Sequence, residues 1–236
     1  MANQWFRFKQ FTINQDRTAM KVGTDGVLIG AWANVADSSK ILDVGTGTGL
    51  IAIMAAQRNA TASIDAIEVD SGAFNQAKEN VQACAWSERI NLHLIDFRSF
   101  SQNCAQRFDH IITNPPFYNS TLKPTQKERA VARHDESLDL STIIKGAAAL
   151  LYDRGRLSMI LPASIFPDLK MIAHTNGFFI SALTYVKPTP SKPPHRILVE
   201  LNQTKTEYKV NEMIIEEFGR HQYSDAYKQL TRPFYL

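Results

Sequence analysis

The chain has little of what would place it outside a reducing compartment or inside a bilayer. Its two cysteines, Cys84 and Cys104, are too few for a disulfide framework and lack metal-ligand spacing. That usage suits a reducing cytoplasm. The six histidines, at positions 93, 110, 134, 174, 195 and 221, form no i, i+4 pair and no Cys/His cluster, so no metal is expected. The longest apolar runs, such as GAAALL, fall far short of the about 20 residues needed to cross a bilayer. The opening MANQWFRFKQ has no apolar segment of the signal-peptide kind. A cytoplasmic protein with no membrane partner is therefore expected. Neither charge sign dominates: 26 basic residues face 23 acidic ones, for a net +3. There is no internal repeat and no G-x-S-x-G nucleophile elbow. At 44% apolar, the 236-residue composition excludes a disordered chain, and the length suits one α/β domain with small additions.

What is present is a regular alternation. Short apolar runs at Lys40–Val44, Ser63–Val69, Ile90–Ile95, Asp109–Thr113 and Arg156–Leu161 read as strands, and most are separated by helical patterns. Phe178–Val186 and Arg196–Leu201 read as two more strands, joined by the Pro-rich loop of residues 187–194, and so expected to pair antiparallel. Strands alternating with helices mean βαβ units and a mostly parallel sheet. The expectation is a Rossmann-like α/β fold with a mixed seven-stranded sheet and an antiparallel C-terminal hairpin. Residues 1–39 would be a short N-terminal extension with a covering helix, 40–203 the core, and 204–236 a partly helical tail through MIIEEF. Thr24 or Asp25 would cap the helix TDGVLIGAWAN.

Asp43-Val44-Gly45-Thr46-Gly47-Thr48-Gly49 lies between a strand and a helix. Glycines there allow a tight turn and close approach to a ligand, and the helix N-terminus offers free N–H groups. The dinucleotide fingerprint G-x-G-x-x-G fails at its third glycine, where Leu50 stands. Glu68 ends the second strand, where a carboxylate can accept from both hydroxyls of a ribose; Asp70 is the rival. Asp96 and Phe97 end the third strand, and a helix or turn cap is the plain alternative for Asp96.

Asn114-Pro115-Pro116-Phe117 ends the fourth strand. A Pro-Pro pair donates no ladder bonds, so the strand stops at the edge where α/β folds bind ligands. Proline also holds the residue before it extended, so the Asn114 and Pro115 oxygens are aimed rather than averaged.

The G-x-G-x-G turn with Asp43 before it resembles the first motif of class I S-adenosylmethionine-dependent methyltransferases. The resemblance implies S-adenosylmethionine as cofactor. The turn of Gly45, Gly47 and Gly49 would lie on its methionine part, Asp43 would hold its amino group, Glu68 its ribose, and Asp96 its adenine with Phe97 packed nearby. Asn114–Phe117 resembles the (Asn/Asp)-Pro-Pro-aromatic motif of amino-methyltransferases, which methylate planar nitrogens. In that chemistry the Asn114 side chain and the Pro115 carbonyl accept the two N–H bonds of a poor nucleophile. The nitrogen lone pair is then directed at the sulfonium methyl, while Phe117 stacks on the target.

Charge placement bears on the substrate. Residues 121–133 carry Lys123, Lys127, Arg129 and Arg133 against Glu128, and residues 187–196 carry Lys187, Lys192 and Arg196 with no acid, so each stretch has a net +3. Both should emerge beside the Asn114 motif, and two positive loops there suit a phosphate backbone; scattered solvated charges are the plain alternative. Lys21–Trp32, the two motifs and the final Phe-Tyr-Leu together resemble the bacterial tRNA(Val) adenine-N6 methyltransferases. That resemblance implies transfer to the adenine just 3′ of the anticodon, position 37; the spacing of the motifs in one chain is compatible with a monomer. Thr24 and Asp25 would lie over the methionine end of the cofactor. Alternatives are a protein-glutamine methyltransferase, a guanine-N2 ribosomal RNA enzyme, a DNA adenine methyltransferase and, in other classes, a nicotinamide oxidoreductase or a non-catalytic binding module. The few residues before Asp43 weigh against the separate helical substrate domain usual in the first.

Overall fold

The computed structural model describes residues 3–18, 20–116 and 138–235. A small antiparallel hairpin of β1 (Trp5–Arg7) and β2 (Thr12–Asn14) precedes α1 (Thr24–Trp32). The main sheet comprises β3 (Lys40–Val44), β4 (Ser63–Glu68), β5 (Ile90–Leu94), β6 (Phe108–Thr113), β7 (Leu151–Pro162), β8 (Phe179–Lys187), β9 (Arg196–Asn202) and β10 (Val210–Ile214). Between them run α2 (Leu50–Arg58), α3 (Ser71–Gln82), α4 (Phe97–Asn103), α5 (Leu140–Leu150) and α6 (Phe166–Thr175); α7 (Asp225–Thr231) comes last.

The strand order is β10-β8-β9-β7-β6-β3-β4-β5. All pairs are parallel except those of β9, which runs antiparallel to both β7 and β8. From β3 the chain moves outward to β4 and β5, then returns to the other side of β3 for β6 and β7. The order therefore reverses between β3 and β6, and that switch point opens a crevice beyond the carboxyl ends of the strands.

Both faces of the sheet are covered, which is why its central strands are continuously apolar rather than alternating. In β3, Ile41, Leu42 and Val44 are all buried. One hydrophobic layer gathers α1, α2 and the N-terminal hairpin; the other gathers α4, α5 and α6. Helices α1 and α2 meet through glycines one turn apart. A Cβ on Gly30 would stand 2.7 Å from the Met54 sulfur, and one on Gly26 would stand 3.1 Å from Leu50 Cδ2. This approach sets the start of α1 beside the turn that leads into α2. At the far end of the chain, Phe234 is fully buried, its carbonyl accepts from the Lys9 N–H at 2.8 Å, and Tyr235 stacks on Phe8.

Three local expectations are corrected. The sheet has eight strands, not seven, because Val210–Ile214 forms β10 parallel to β8; the MIIEEF stretch is strand and turn rather than helix. Neither Thr24 nor Asp25 caps α1: Gly23 occupies the N-cap position, with no side-chain cap. Finally, α5 stops at Leu150 and β7 begins at Leu151, five residues earlier than the apolar pattern implied.

Candidate active site

The crevice between β3 and β6 is lined by the segments that follow the strands. Gly45, Gly47 and Gly49 have φ of 71°, 56° and 84°, a left-handed backbone that only glycine enters at little cost. The turn is wired to its neighbours: Gly45 and Thr46 N–H both donate to the Ile67 carbonyl at 3.0 Å.

Asp43 is fully buried. Its Oδ2 accepts from the Thr46 hydroxyl at 2.6 Å and the Ala52 N–H at 3.2 Å, whereas Oδ1 has no partner among the described residues. Burial pushes this carboxyl from 3.8 up to about 7, against the lowering effect of the Thr46 and Ala52 bonds; the Glu68 charge adds a smaller upward push.

Glu68 accepts three N–H groups: Gly47 at 2.8 Å on Oε2, and Val69 at 2.8 Å and Asp70 at 3.0 Å on Oε1. It closes the glycine turn from below. Asp70, its rival, caps α3 by accepting from the Ala73 N–H at 2.7 Å. Asp96 caps α4 through the Ser99 N–H at 3.0 Å, and hydrogen bonds from Ser99 hold its carboxyl below the usual range. Phe97 is turned into the core, where a Cβ on Gly146 would lie 2.4 Å from its ring.

On the β6 side, Val44 pairs with Thr113, and the Thr113 hydroxyl donates to the Val44 carbonyl at 2.8 Å. Asn114 follows directly, half-buried, with Pro115 buried and Pro116 exposed. The Asn-Pro-Pro segment and the glycine turn thus leave adjacent strands one residue past a shared pair. Phe117, Lys123, Lys127, Arg129 and Arg133 lie outside the described residues.

The structure brings together two residues that the sequence assigned to different ligands. Arg196 Nε lies 2.7 Å from Asp25 Oδ2, joining the start of β9 to the first turn of α1, while Thr24 is exposed. Lys187 pairs with Glu212 at 3.3 Å. Of the cations in residues 187–196, only Lys192 has no ion-pair partner among the described residues.

Sequence reasoning missed Asn80 and Gln76, buried on α3. Asn80 accepts from the Asn14 N–H at 2.8 Å and donates to the carbonyls of Asn14 and Thr48, both at 2.9 Å. Gln76 accepts from the Arg17 N–H at 3.1 Å. Together they fasten residues 14–17 across α3 beside the glycine turn. Two amides at i, i+4 on a helix are the signal that could have pointed to them.

Fold and crevice are those of a Rossmann-like methyltransferase. The family model "Methyltransferase small domain" matches residues 22–180. A protein of Trichodesmium erythraeum named tRNA1(Val) (adenine(37)-N6)-methyltransferase is 42% identical over 238 residues, covering 100% of this chain and 99% of its own. A Bacteroides fragilis protein of the same name is 42% identical over 237 residues, with the same coverage. Among solved structures, a predicted O-methyltransferase from Agrobacterium tumefaciens superposes with a TM-score of 0.71 at 19% identity, over 89% of this chain and 96% of that one. The chain belongs to the methyltransferase small domain family and, within it, to the group of tRNA1(Val) (adenine(37)-N6)-methyltransferases.

The methyl donor implied by that class is S-adenosylmethionine, and the residues present fit it. The orphaned Asp43 Oδ1 is a buried acceptor that a cationic amino group, or a water held by one, would satisfy. A Cβ on Gly45 or Gly47 would meet nothing within 4 Å, so these two leave the turn open to a ligand, whereas one on Gly49 would face Ala77 and Val81 at 3.6 Å.

Proposed function

We propose that this protein transfers a methyl group from S-adenosylmethionine to the exocyclic N6 of adenine 37 in a valine tRNA. The observation that carries the reading is the end-to-end likeness to the tRNA1(Val) enzymes, combined with an Asn-Pro-Pro segment across the crevice from a glycine turn.

The bound cofactor supplies an electrophilic methyl on a sulfonium centre. The chain supplies position and acceptors. Asp43 holds the amino group, and the glycine turn shapes the floor for the methionine part. Glu68 serves the ribose by sharing an oxygen that now holds the Gly47 N–H. Asp96, ionised and already at a helix start, offers its second oxygen to the adenine amino group. Asn114 and the Pro115 carbonyl accept the N–H bonds of the target amine. They orient its lone pair and stabilise the cation that forms, which sheds a proton without a dedicated base. Phe117 stacks on the extruded base.

Lys192, Lys187 and Arg196, with Lys123, Lys127, Arg129 and Arg133, are the cations we assign to the tRNA phosphates. We take residues 1–236 as one catalytic domain that acts as a monomer, since one chain carries both sides of the crevice, and as a cytoplasmic enzyme that uses no metal. Among the described residues no helix is long and apolar enough to cross a membrane. The test is nucleoside mass spectrometry of valine tRNA from cells with and without the gene, together with transfer from labelled cofactor to tRNA, protein and DNA. N6-methyladenosine that persists at position 37 without the gene, or label that prefers protein, would overturn the reading.

A further inference from the structure

Beyond the crevice, one element has no role in methyl transfer. The chain after β10 forms a tight finger, residues 216–223, closed by an antiparallel bridge between Glu216 and Tyr223. The Glu217 N–H donates to the Gln222 carbonyl at 3.0 Å, and the Gln222 N–H to the Gly219 carbonyl at 3.0 Å. Gly219 has φ of 132°, and His221, which is not glycine, has φ of 64°. Such a conformation costs free energy at a side-chain-bearing residue and persists only where the surroundings impose it. Here the His221 N–H donates to Glu216 Oε1 at 2.8 Å, which occupies that carboxylate within the finger.

The ordered turn holds Phe218 out in solvent at 68% exposure, the highest of any large apolar side chain among the described residues. Two residues on in the same turn, Arg220 is exposed and has no ion-pair partner among the described residues. The base of the finger is fastened to the Pro-rich loop: Ile215 N–H donates to the Lys187 carbonyl and Glu216 N–H to that of Pro188, both at 2.9 Å. Strand β10 is parallel to β8, with Ile214 opposite Lys187, so the finger rises from the same sheet edge as Asn114. Four strand spacings separate β10 from β6, or about 19 Å at ~4.8 Å each.

We infer that this finger is a second RNA contact, in which Phe218 stacks on an unpaired base away from the target adenine and Arg220 takes an adjacent phosphate. An exposed aromatic beside an unpaired cation is the chemistry that binds single-stranded nucleotides. The distance from Asn114 is too great for the base being methylated. The inference rests on the tRNA reading above.

The test compares the parent with Phe218→Ala, Phe218→Trp and Arg220→Ala, using an unmodified valine tRNA transcript. Phe218→Ala should bind tRNA roughly 5- to 100-fold more weakly, the range for loss of one stacked base, and Phe218→Trp should recover it. S-adenosylmethionine affinity and melting temperature should not move, because Phe218 touches neither crevice nor core. Arg220→Ala should lower the slope of log affinity against log salt by about 0.7–0.9, one phosphate contact. A Phe218→Ala protein that binds tRNA like an active parent overturns the finger alone. So does loss of self-association in sedimentation without change in tRNA binding, which would assign Phe218 to a second copy of the chain. A parent that neither binds nor methylates tRNA overturns the functional reading and the finger with it.

Discussion

On the β3–β4–β5 side of the crevice, the carboxylates are already engaged with backbone or hydroxyl donors: Asp43 with Thr46 and Ala52, Glu68 with the glycine turn, Asp96 with the start of α4. On the β9–β8–β10 side, charged side chains pair with one another across the rim, Arg196 with Asp25 and Lys187 with Glu212. The first arrangement is held by backbone and hydroxyl donors, fully buried at Asp43 and half-buried at Glu68 and Asp96, and leaves one oxygen of Asp43 waiting, as suits a ligand of fixed shape. The second consists of half-exposed pairs, each worth about 0–1 kcal/mol. Pairs that weak can exchange a carboxylate for a phosphate at little cost, which suits a long flexible polyanion.

The sharpest way to break this division is at the junction. Asn114→Ala should lower kcat about 100- to 1000-fold, the cost of removing an aimed acceptor from the transition state, while leaving cofactor affinity within about twofold of the parent. Isothermal titration beside single-turnover kinetics checks it, and an equal loss of cofactor binding would merge the two sides.

Asp43→Asn should weaken cofactor binding about 10- to 100-fold, the range for losing a hydrogen bond to a charged group, with little change in tRNA affinity. The parent should lose cofactor affinity as pH falls through about 7, because protonated Asp43 no longer attracts a cation, and the variant should not. Stability of the cofactor-free protein runs the other way. The folded carboxyl titrates near 7 and the unfolded one near 3.8, so the contribution of Asp43 is intact below about 4 and is lost as pH rises through about 7. Melting curves at pH 5 and pH 8 should show Asp43→Asn gaining on the parent at the higher pH.

The smallest effect is expected at the rim. Arg196→Ala should weaken tRNA binding by a few-fold. Asp25→Ala should strengthen it, by up to about fivefold at low salt, because it frees Arg196 for phosphate. Filter binding without cofactor separates this from a purely structural pair, for which both variants would move the same way.

Much of the first side could be read from the residue order. Asp43–Gly49 and Asn114–Phe117 are local motifs, and each states its own geometry through glycine or proline. The second side could not, because its bonds span the chain: Asp25 meets a partner 171 residues away. Strand β10 was hidden for a related reason. Val210–Ile214 contains Asn, Glu and Met, and only its pairing with β8 makes it extended. Helix α5 and strand β7 abut without a turn residue, so GAAALL masked the boundary at Leu151. Phe97 follows the strand end as a cofactor contact would, yet its ring fills the space that Gly146 leaves.

The bond from the Thr113 hydroxyl to the Val44 carbonyl has a consequence for reach. Neighbouring strands stand about 4.8 Å apart, and Gly45 and Asn114 are the first residues beyond that tied pair. On the roles proposed for the glycine turn and Asn114, the sheet itself is the ruler between donor and acceptor. On those roles, the span a methyl group crosses is fixed by main-chain hydrogen bonding in the middle of the protein, away from the rim.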